Sequence, residues 1–308
     1  MFQKQDMMRR VLVALIPIYL FSIYLYGLRL LILGVIVFFV GISIEYFFEK
    51  SRKKKVSEAV LVTCSLFLLS LPSQTPWWIA IVGIVFSVLI GKEIYGGFGR
   101  NIFNPAISGR LFIYITFPNQ MQSGFLTPGG FGLNADAITT ATPLGLLRQG
   151  ESIDYLMYLL GFRPGSMGES SILLIIVAAV YLIATKTASW RIILSTLSSA
   201  VLLAFSLSLF GVAQALPPLA SLLSGSILFV TVFYATDPVS APKKKGAQWF
   251  YGVIIGSTAI LIRTFSLFPE GTSFGILLGN TFASLLDNLV SSVQTKATAP
   301  ANADGGEA

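Results

Sequence analysis

Apolar residues run along this chain in long blocks broken by short polar punctuation, with little of the one-faced alternation of a helix lying on water. Ten blocks stand out, at about 11–27, 28–48, 59–72, 76–95, 103–118, 170–185, 189–211, 219–236, 249–266 and 272–290. Several approach the roughly 20 apolar residues that carry a helix across the hydrocarbon core. Lipid offers the backbone no hydrogen-bond partner, so each span must satisfy its own amides, as a helix does. The pattern predicts an all-α polytopic membrane protein with about ten transmembrane helices.

Composition agrees. Of 308 residues, 54% are hydrophobic and 11% charged, against about a quarter charged in a soluble domain. The net charge of +7 raises the question of a nucleic-acid partner. The distribution excludes it, because the basic residues gather between apolar blocks, as in "EKSRKKK" (49–55) and "PKKK" (242–245). Starting inside, the inner segments are 1–10, 49–58, 91–102, 186–191, 237–248 and the tail from 291. They hold every Lys and Arg except Arg29, Arg110, Arg148, Arg163 and Arg263. The positive-inside rule then sets both termini in the cytoplasm and turns residues 119–169 outward. The start, "MFQKQDMMRR", shows no cleavage site after its first apolar run and reads as a cytoplasmic tail.

Ten spans divide into a repeat at about 1–118 and another at about 170–290, joined by the outer loop 119–169 within one transmembrane domain, 1–290. An odd number of spans per half inverts one half relative to the other, and such repeats surround a site where helices break. The punctuation looks shared: "GKEIYGGFGRNIFNPA" interrupts the first half and "YATDPVSAPKKKGAQWFYG" the second. Residues 291–308 are small and polar and read as a disordered tail.

The chain has no histidine and one cysteine. That rules out, within this chain, a disulfide, a His-based zinc or haem site, a cysteinyl iron–sulfur cluster and a Ser-His-Asp triad. Cys64 reads as a small buried hydrophobe. No catalytic group and no metal site is expected, so redox chemistry here needs an organic cofactor.

Three constellations remain. In "GKEIYGGFGRNIFNPAISGR", glycines, Asn101 and Asn104-Pro105 interrupt a helix; the asparagines could cap helices or meet the donor–acceptor edge of a ligand ring. In "TDPVSAP", Asp237 is either a wet helix-end residue or part of a site. Acids in or near spans are Glu45, Glu93, Asp237, Glu270 and Asp287, candidates for an ion path unless they snorkel. Among them Asp237 ranks first for ion coupling, then Glu93, then Asp287. The third constellation, "NADAITTATPLGLL" (134–147), places Asp136 six residues before Thr142 in the long outer loop. On composition alone it is an Asx or ST turn capping a short helix, with Pro143 at the first helical position.

Together these pieces resemble the NqrB/RnfD family of membrane subunits, shared by the Rnf electron-transport complex and the sodium-translocating NADH:quinone oxidoreductase. The likeness runs from "PWWIAIVGIVFSVLIGKEIYGGFGRNIFNPA" through "PGSMGE" and "ATDPVSA" to "FPEGTSFGILLGN". It implies that Asp136-Ala137-Ile138-Thr139-Thr140-Ala141-Thr142 is a flavinylation signature, with FMN joined to Thr142 through a phosphoester by a flavin transferase outside the membrane. Asp136 would help the transferase recognise the segment, and Thr140 departs from the usual Gly or Ser. The resemblance also implies riboflavin, held non-covalently toward the cytoplasm at Asn101, Asn104 and Asp237. Two flavins on opposite sides would carry electrons across the bilayer, a cofactor's task.

The implied setting is the bacterial cytoplasmic (inner) membrane, in a complex with an FMN-bearing subunit and iron–sulfur subunits that moves Na+ or H+. "TATPL" and the short N-terminus favour the Rnf type, working between ferredoxin and NAD+; "GKE", "DPVSA" and "SWRI" look more like the NADH:quinone type. A flavin-free solute channel or transporter with inverted repeats is the reading from another class.

Overall fold

The computed structural model describes residues 2–122, 155–212, 214–266 and 270–298, together with Phe125, Leu147 and Phe268. The expected flavinylation residues Asp136, Thr139, Thr140, Ala141 and Thr142 lie outside the described residues, as do residues 299–308 of the expected tail.

Helix fills the apolar blocks. Helices α1 (Asp6–Tyr26) and α2 (Leu28–Ser51) are joined through Gly27 alone, at φ 65°, a left-handed conformation that glycine adopts without strain. After α3 (Ala59–Leu69), α4 (Trp77–Val85) passes without a break into a π-helical segment, Phe86–Glu93. Then come α5 (Pro105–Thr116), the short α6 (Pro118–Gln122) and α7 (Tyr155–Leu160), and α8 (Ile172–Ala184). Helix α9 (Trp190–Leu209) precedes a broken pair, α10 (Pro218–Leu223) and α11 (Ile227–Phe233). Helices α12 (Lys245–Phe265) and α13 (Gly271–Thr298) finish the bundle.

Four stretches, Asp6–Tyr26, Leu28–Ser51, Trp190–Leu209 and Gly271–Gln294, are long and apolar enough to cross a membrane. Their outward faces carry exposed Val35, Phe39, Leu202, Phe205 and Leu285, which suit lipid and not water. The chain is an all-α, multi-pass membrane protein.

At the centre lie α3 and α11. All seven residues of α11 are buried, and every residue of α3 except Leu61. The Tyr234 hydroxyl, just past α11, donates to the Leu66 carbonyl of α3 at 2.7 Å. Cys64 is enclosed here as a small apolar residue.

The "PGSMGE" segment gains a physical role. The amides of Met167 and Gly168 donate to the carbonyls of Leu71 (3.0 Å) and Leu69 (2.6 Å), so this segment supplies donors to carbonyls at the end of α3. Arg163 gathers the carbonyls of Glu169, Ser170 and Leu223.

Small residues let the second half close. A Cβ at Gly252 or Gly256 of α12 would overlap Ser195 and Ser199 of α9, and Gly271, Gly275 and Gly279 of α13 approach Ala259, Ile255 and Tyr251 of α12 in the same way. This is the small-xxx-small packing of membrane helices, where close backbone approach replaces the missing hydrophobic drive.

Helices α5 and α13 run in opposite directions across the middle. The Asn104 amide donates to Asn280 Oδ1 at 3.2 Å, and Arg110 Nη2 donates to Glu270 Oε1 at 2.8 Å. At the N-terminus, Glu58 accepts from the Gln5 amide (2.7 Å) and from Arg9 (2.6 Å), clamping α1 to the start of α3. The Arg9 guanidinium, aided by that amide, holds the Glu58 carboxyl below its usual range.

Three features differ from expectation. The block 219–236 is broken by Gly225, at φ 68°, and Arg263 binds the carbonyls of Ser221 (3.1 Å) and Ser224 (3.2 Å) at the break. Helix α13 continues to Thr298, past residue 290, because "LDNLVSSVQTK" contains no helix breaker. The two polar interruptions are not equivalent in order: 94–104 separates the fourth and fifth long segments of its half, whereas 234–244 follows the third. The positional counterpart of 234–244 is 70–76, after α3.

Candidate functional site

The glycine-rich break is built by backbone geometry. Gly96, Gly97 and Gly99 take φ of 103°, 90° and 85°, turning the chain from the π-helical segment toward α5. Asn104 then caps α5: its Oδ1 accepts from the amides of Ala106 (3.0 Å) and Ile107 (3.3 Å), with Pro105 in the first turn. The capping role uses only the oxygen. Its Nδ2 faces Asp237 Oδ2 at 3.4 Å, across 133 residues of chain.

Asp237 is fixed from its own loop as well. Ser240 Oγ donates to Oδ2 (2.8 Å) and the Val239 amide to Oδ1 (3.3 Å). Asn280 closes the ring, donating Nδ2 to the Ser240 carbonyl (3.2 Å) and to Tyr251 Oη (2.8 Å) while accepting from the Asn104 amide. On this loop, outside the helices, burial pushes the Asp237 carboxyl above its usual value; hydrogen bonds from Ser240, Val239 and Asn104 oppose the rise.

Asn101, Asn104 and Asp237 line one cleft, together with Lys92 and the apolar Met7, Met8, Val11, Leu66, Phe98 and Phe233. Asn101 spends Nδ2 on the Phe103 carbonyl (3.0 Å); its Oδ1 has no donor among the described residues. Apolar walls with a few convergent polar groups are the usual make-up of a small-molecule site. The inner space is about 50 Å³. Met7, Met8 and Phe98 are large apolar walls of this space, and methionine is the most adaptable of them. The cleft shares Thr187, Ala188, Thr236, Asp237 and Pro238 with a second space of about 590 Å³ bordered by Lys186, Arg191, Lys243 and Lys245.

The candidate ion-path acids separate. Glu93 pairs with Arg52 at 2.5 Å, and Glu270 with Arg110. Glu45 pairs with Lys92 at 2.5 Å. Asp287, half-buried, accepts the amides of Lys243 and Lys244, both at 2.9 Å, and so anchors the loop before α12. Of the five, Asp237 alone both lines the cleft and lacks a cationic partner among the described residues.

Two neighbours were not anticipated. Lys92, assigned by charge counting to a cytoplasmic segment, is 1% exposed. Asn280 joins the ring from a helix that shows no break in its sequence. The signal for Lys92 was present in "GKE", a charge pair set directly on the end of an apolar run.

The fold and the cleft define a multi-pass membrane bundle in which Asn101 and Asn104 meet Asp237 between helix ends. Residues 2–296 match the model of the NQR2, RnfD, RnfE family, and the chain belongs to that family. A relative from Azotobacter vinelandii, the NqrB subunit of a Na(+)-translocating NADH-quinone reductase, is 36% identical over 267 residues, covering 83% of this chain and 65% of the relative. Relatives of the same name come from Pseudomonas aeruginosa strain LESB58 (36% over 265 residues; 82% and 64%) and Chromohalobacter salexigens (37% over 259 residues; 82% and 63%). The chain thus spans less than two thirds of the length of these relatives.

Proposed function

We propose that this chain is the membrane flavin subunit of an ion-translocating electron-transport complex, with no complete reaction of its own. The observation that carries the reading is the convergence of Asn101, Asn104 and Asp237, from both halves, on one cleft. In this reading the halves are inverted repeats, with α3 matching α11 and α5 matching α13. Riboflavin occupies the cleft at the cytoplasmic end. FMN is carried on Thr142 in the outer loop, with Asp136, Thr139, Thr140 and Ala141 as the signature the transferase reads.

The cleft's chemistry fits an isoalloxazine edge. Asp237 can accept from a ring N–H, Asn104 Nδ2 can donate to a ring carbonyl, and Asn101 Oδ1 is a further acceptor. When bound, the flavins supply one- and two-electron chemistry that no side chain here offers. Partner subunits then oxidise and reduce the substrates. Asp237 is the acid placed to feel a change of charge in the cleft, since charges interact strongly away from water. It is the first candidate for coupling to Na+ or H+, with Glu93 and Asp287 behind it.

The names of the relatives favour the NADH:quinone type of complex; Thr142-Pro143 favours the ferredoxin:NAD+ type. The test between them is which donor, NADH or reduced ferredoxin, reduces the flavins of the purified complex.

The site is tested by measuring non-covalent flavin after extraction. Asn104→Ala/Asp237→Ala removes hydrogen-bond partners worth about 1–3 kcal/mol each, and its riboflavin content should collapse. Undiminished riboflavin in that variant rejects the cleft as the site. Asp237→Asn should keep flavin reduction and lose the cation dependence of turnover.

A further inference from the structure

Lys92 is the only cation lining the cleft among the described residues. Its ammonium donates to Glu45 Oε2 (2.5 Å) and Ser57 Oγ (2.9 Å) and lies 6.0 Å from the centroid of Phe98, itself a wall of the cleft. An ammonium has three donors, and the third has no acceptor among the described residues. Both oxygens of Glu45 are engaged: one takes the Ser57 amide (2.8 Å) and hydroxyl (2.5 Å), the other takes Lys92. The acid thus holds Lys92 in place at a depth where an unpaired ammonium would be costly.

We propose that Lys92 is a flavin-recognition residue of the cleft, donating its third N–H to the pyrimidine edge of the ring and raising both flavin affinity and reduction potential. This rests on the riboflavin reading of the same cleft. A cation beside the ring favours the electron-rich reduced form, and the surrounding low dielectric amplifies the effect. Asp237, also on the cleft wall, acts in the opposite sense, so Lys92 sets the balance. The pair with Glu45 is neutral as a whole, but its positive member is the one on the cleft wall.

The test uses the purified complex. Lys92→Gln alone would strand the Glu45 carboxylate, so the working variant is Glu45→Gln/Lys92→Gln, with Lys92→Arg as the charge-retaining control. Loss of one charge-assisted hydrogen bond, about 1.5–3 kcal/mol, should weaken riboflavin binding roughly ten- to 150-fold. The midpoint potential of the flavin that remains should fall, and Lys92→Arg should keep it near the parent value. A pair that merely staples α2 to the π-helical segment would lower thermal stability and leave flavin content and potential unchanged; that result overturns the proposal. Asn104→Ala/Asp237→Ala, measured alongside, separates the two readings. If it keeps its riboflavin, the cleft is not the site; if it loses riboflavin while Glu45→Gln/Lys92→Gln matches the parent, only the role of Lys92 falls.

Discussion

Arg110 Nη2 donates to Glu270 Oε1 across 2.8 Å, tying the middle of α5 to the residue just before α13, 160 positions later. The same nitrogen reaches Glu169 Oε1 at 3.1 Å, so one guanidinium holds an acid from the "PGSMGE" segment and one from the second half. Breaking a buried pair by removing one partner costs about 3–5 kcal/mol, because a charge is left stranded. Glu270→Gln should lower the unfolding midpoint in detergent, and Arg110→Met should lower it further by stranding two carboxylates. The triple variant Arg110→Met/Glu169→Gln/Glu270→Gln should recover most of that loss. A triple variant as unstable as Arg110→Met would show that the charges are not what matters.

Packing in the second half is predicted to be intolerant at chosen glycines. Gly252→Val drives a side chain into Ser195 and the backbone of Thr196, and overpacking of this kind costs about 1–3 kcal/mol. Gly165→Ala meets no atom within 4 Å and should stay within about 0.5 kcal/mol of the parent. Thermal unfolding of the two variants side by side decides it; equal midpoints would contradict the helix contacts described.

The N-terminal clamp should respond to acid. Glu58 has its folded value depressed by Arg9, so its contribution is present above the unfolded carboxylate value and is lost as pH falls through the lower, folded value. Amide exchange near Gln5 and Arg9 should therefore quicken below the ordinary carboxylate range. Glu58→Gln should exchange fast at neutral pH and show no acid step. Persistence of the step in that variant would move its origin elsewhere.

Much of the bundle was legible because lipid imposes long apolar runs, and the helix-breaking runs Gly96–Pro105 and Asp237–Pro242 announce themselves. Asn101, Asn104 and Asp237 could be read as a set only through resemblance, and the folded chain brings them to one cleft. The burial of Lys92 is not legible in a count of charges, which cannot see that Glu45, 47 residues earlier, holds it. Asn280 was invisible because an asparagine inside an apolar helix has no local signature; its partners Ser240 and Tyr251 come from elsewhere in the chain. The split at Gly225 was missed because "LLSGSILF" still reads as one apolar block. Nothing in the periodicity marks Phe86–Glu93 as π-helical, since the extra residue per turn leaves composition unchanged.

The central claim is that this chain is itself a flavin carrier, and the mass of the denatured chain tests it most directly. Purified from a host that supplies the flavin transferase, the chain should weigh one FMN more than its sequence, less one water. Fragmentation should map the addition to Thr142, and Thr142→Ala should return the bare mass while Thr139→Ala keeps the addition. A wild-type chain at its bare mass, or an addition that survives Thr142→Ala, would contradict the account.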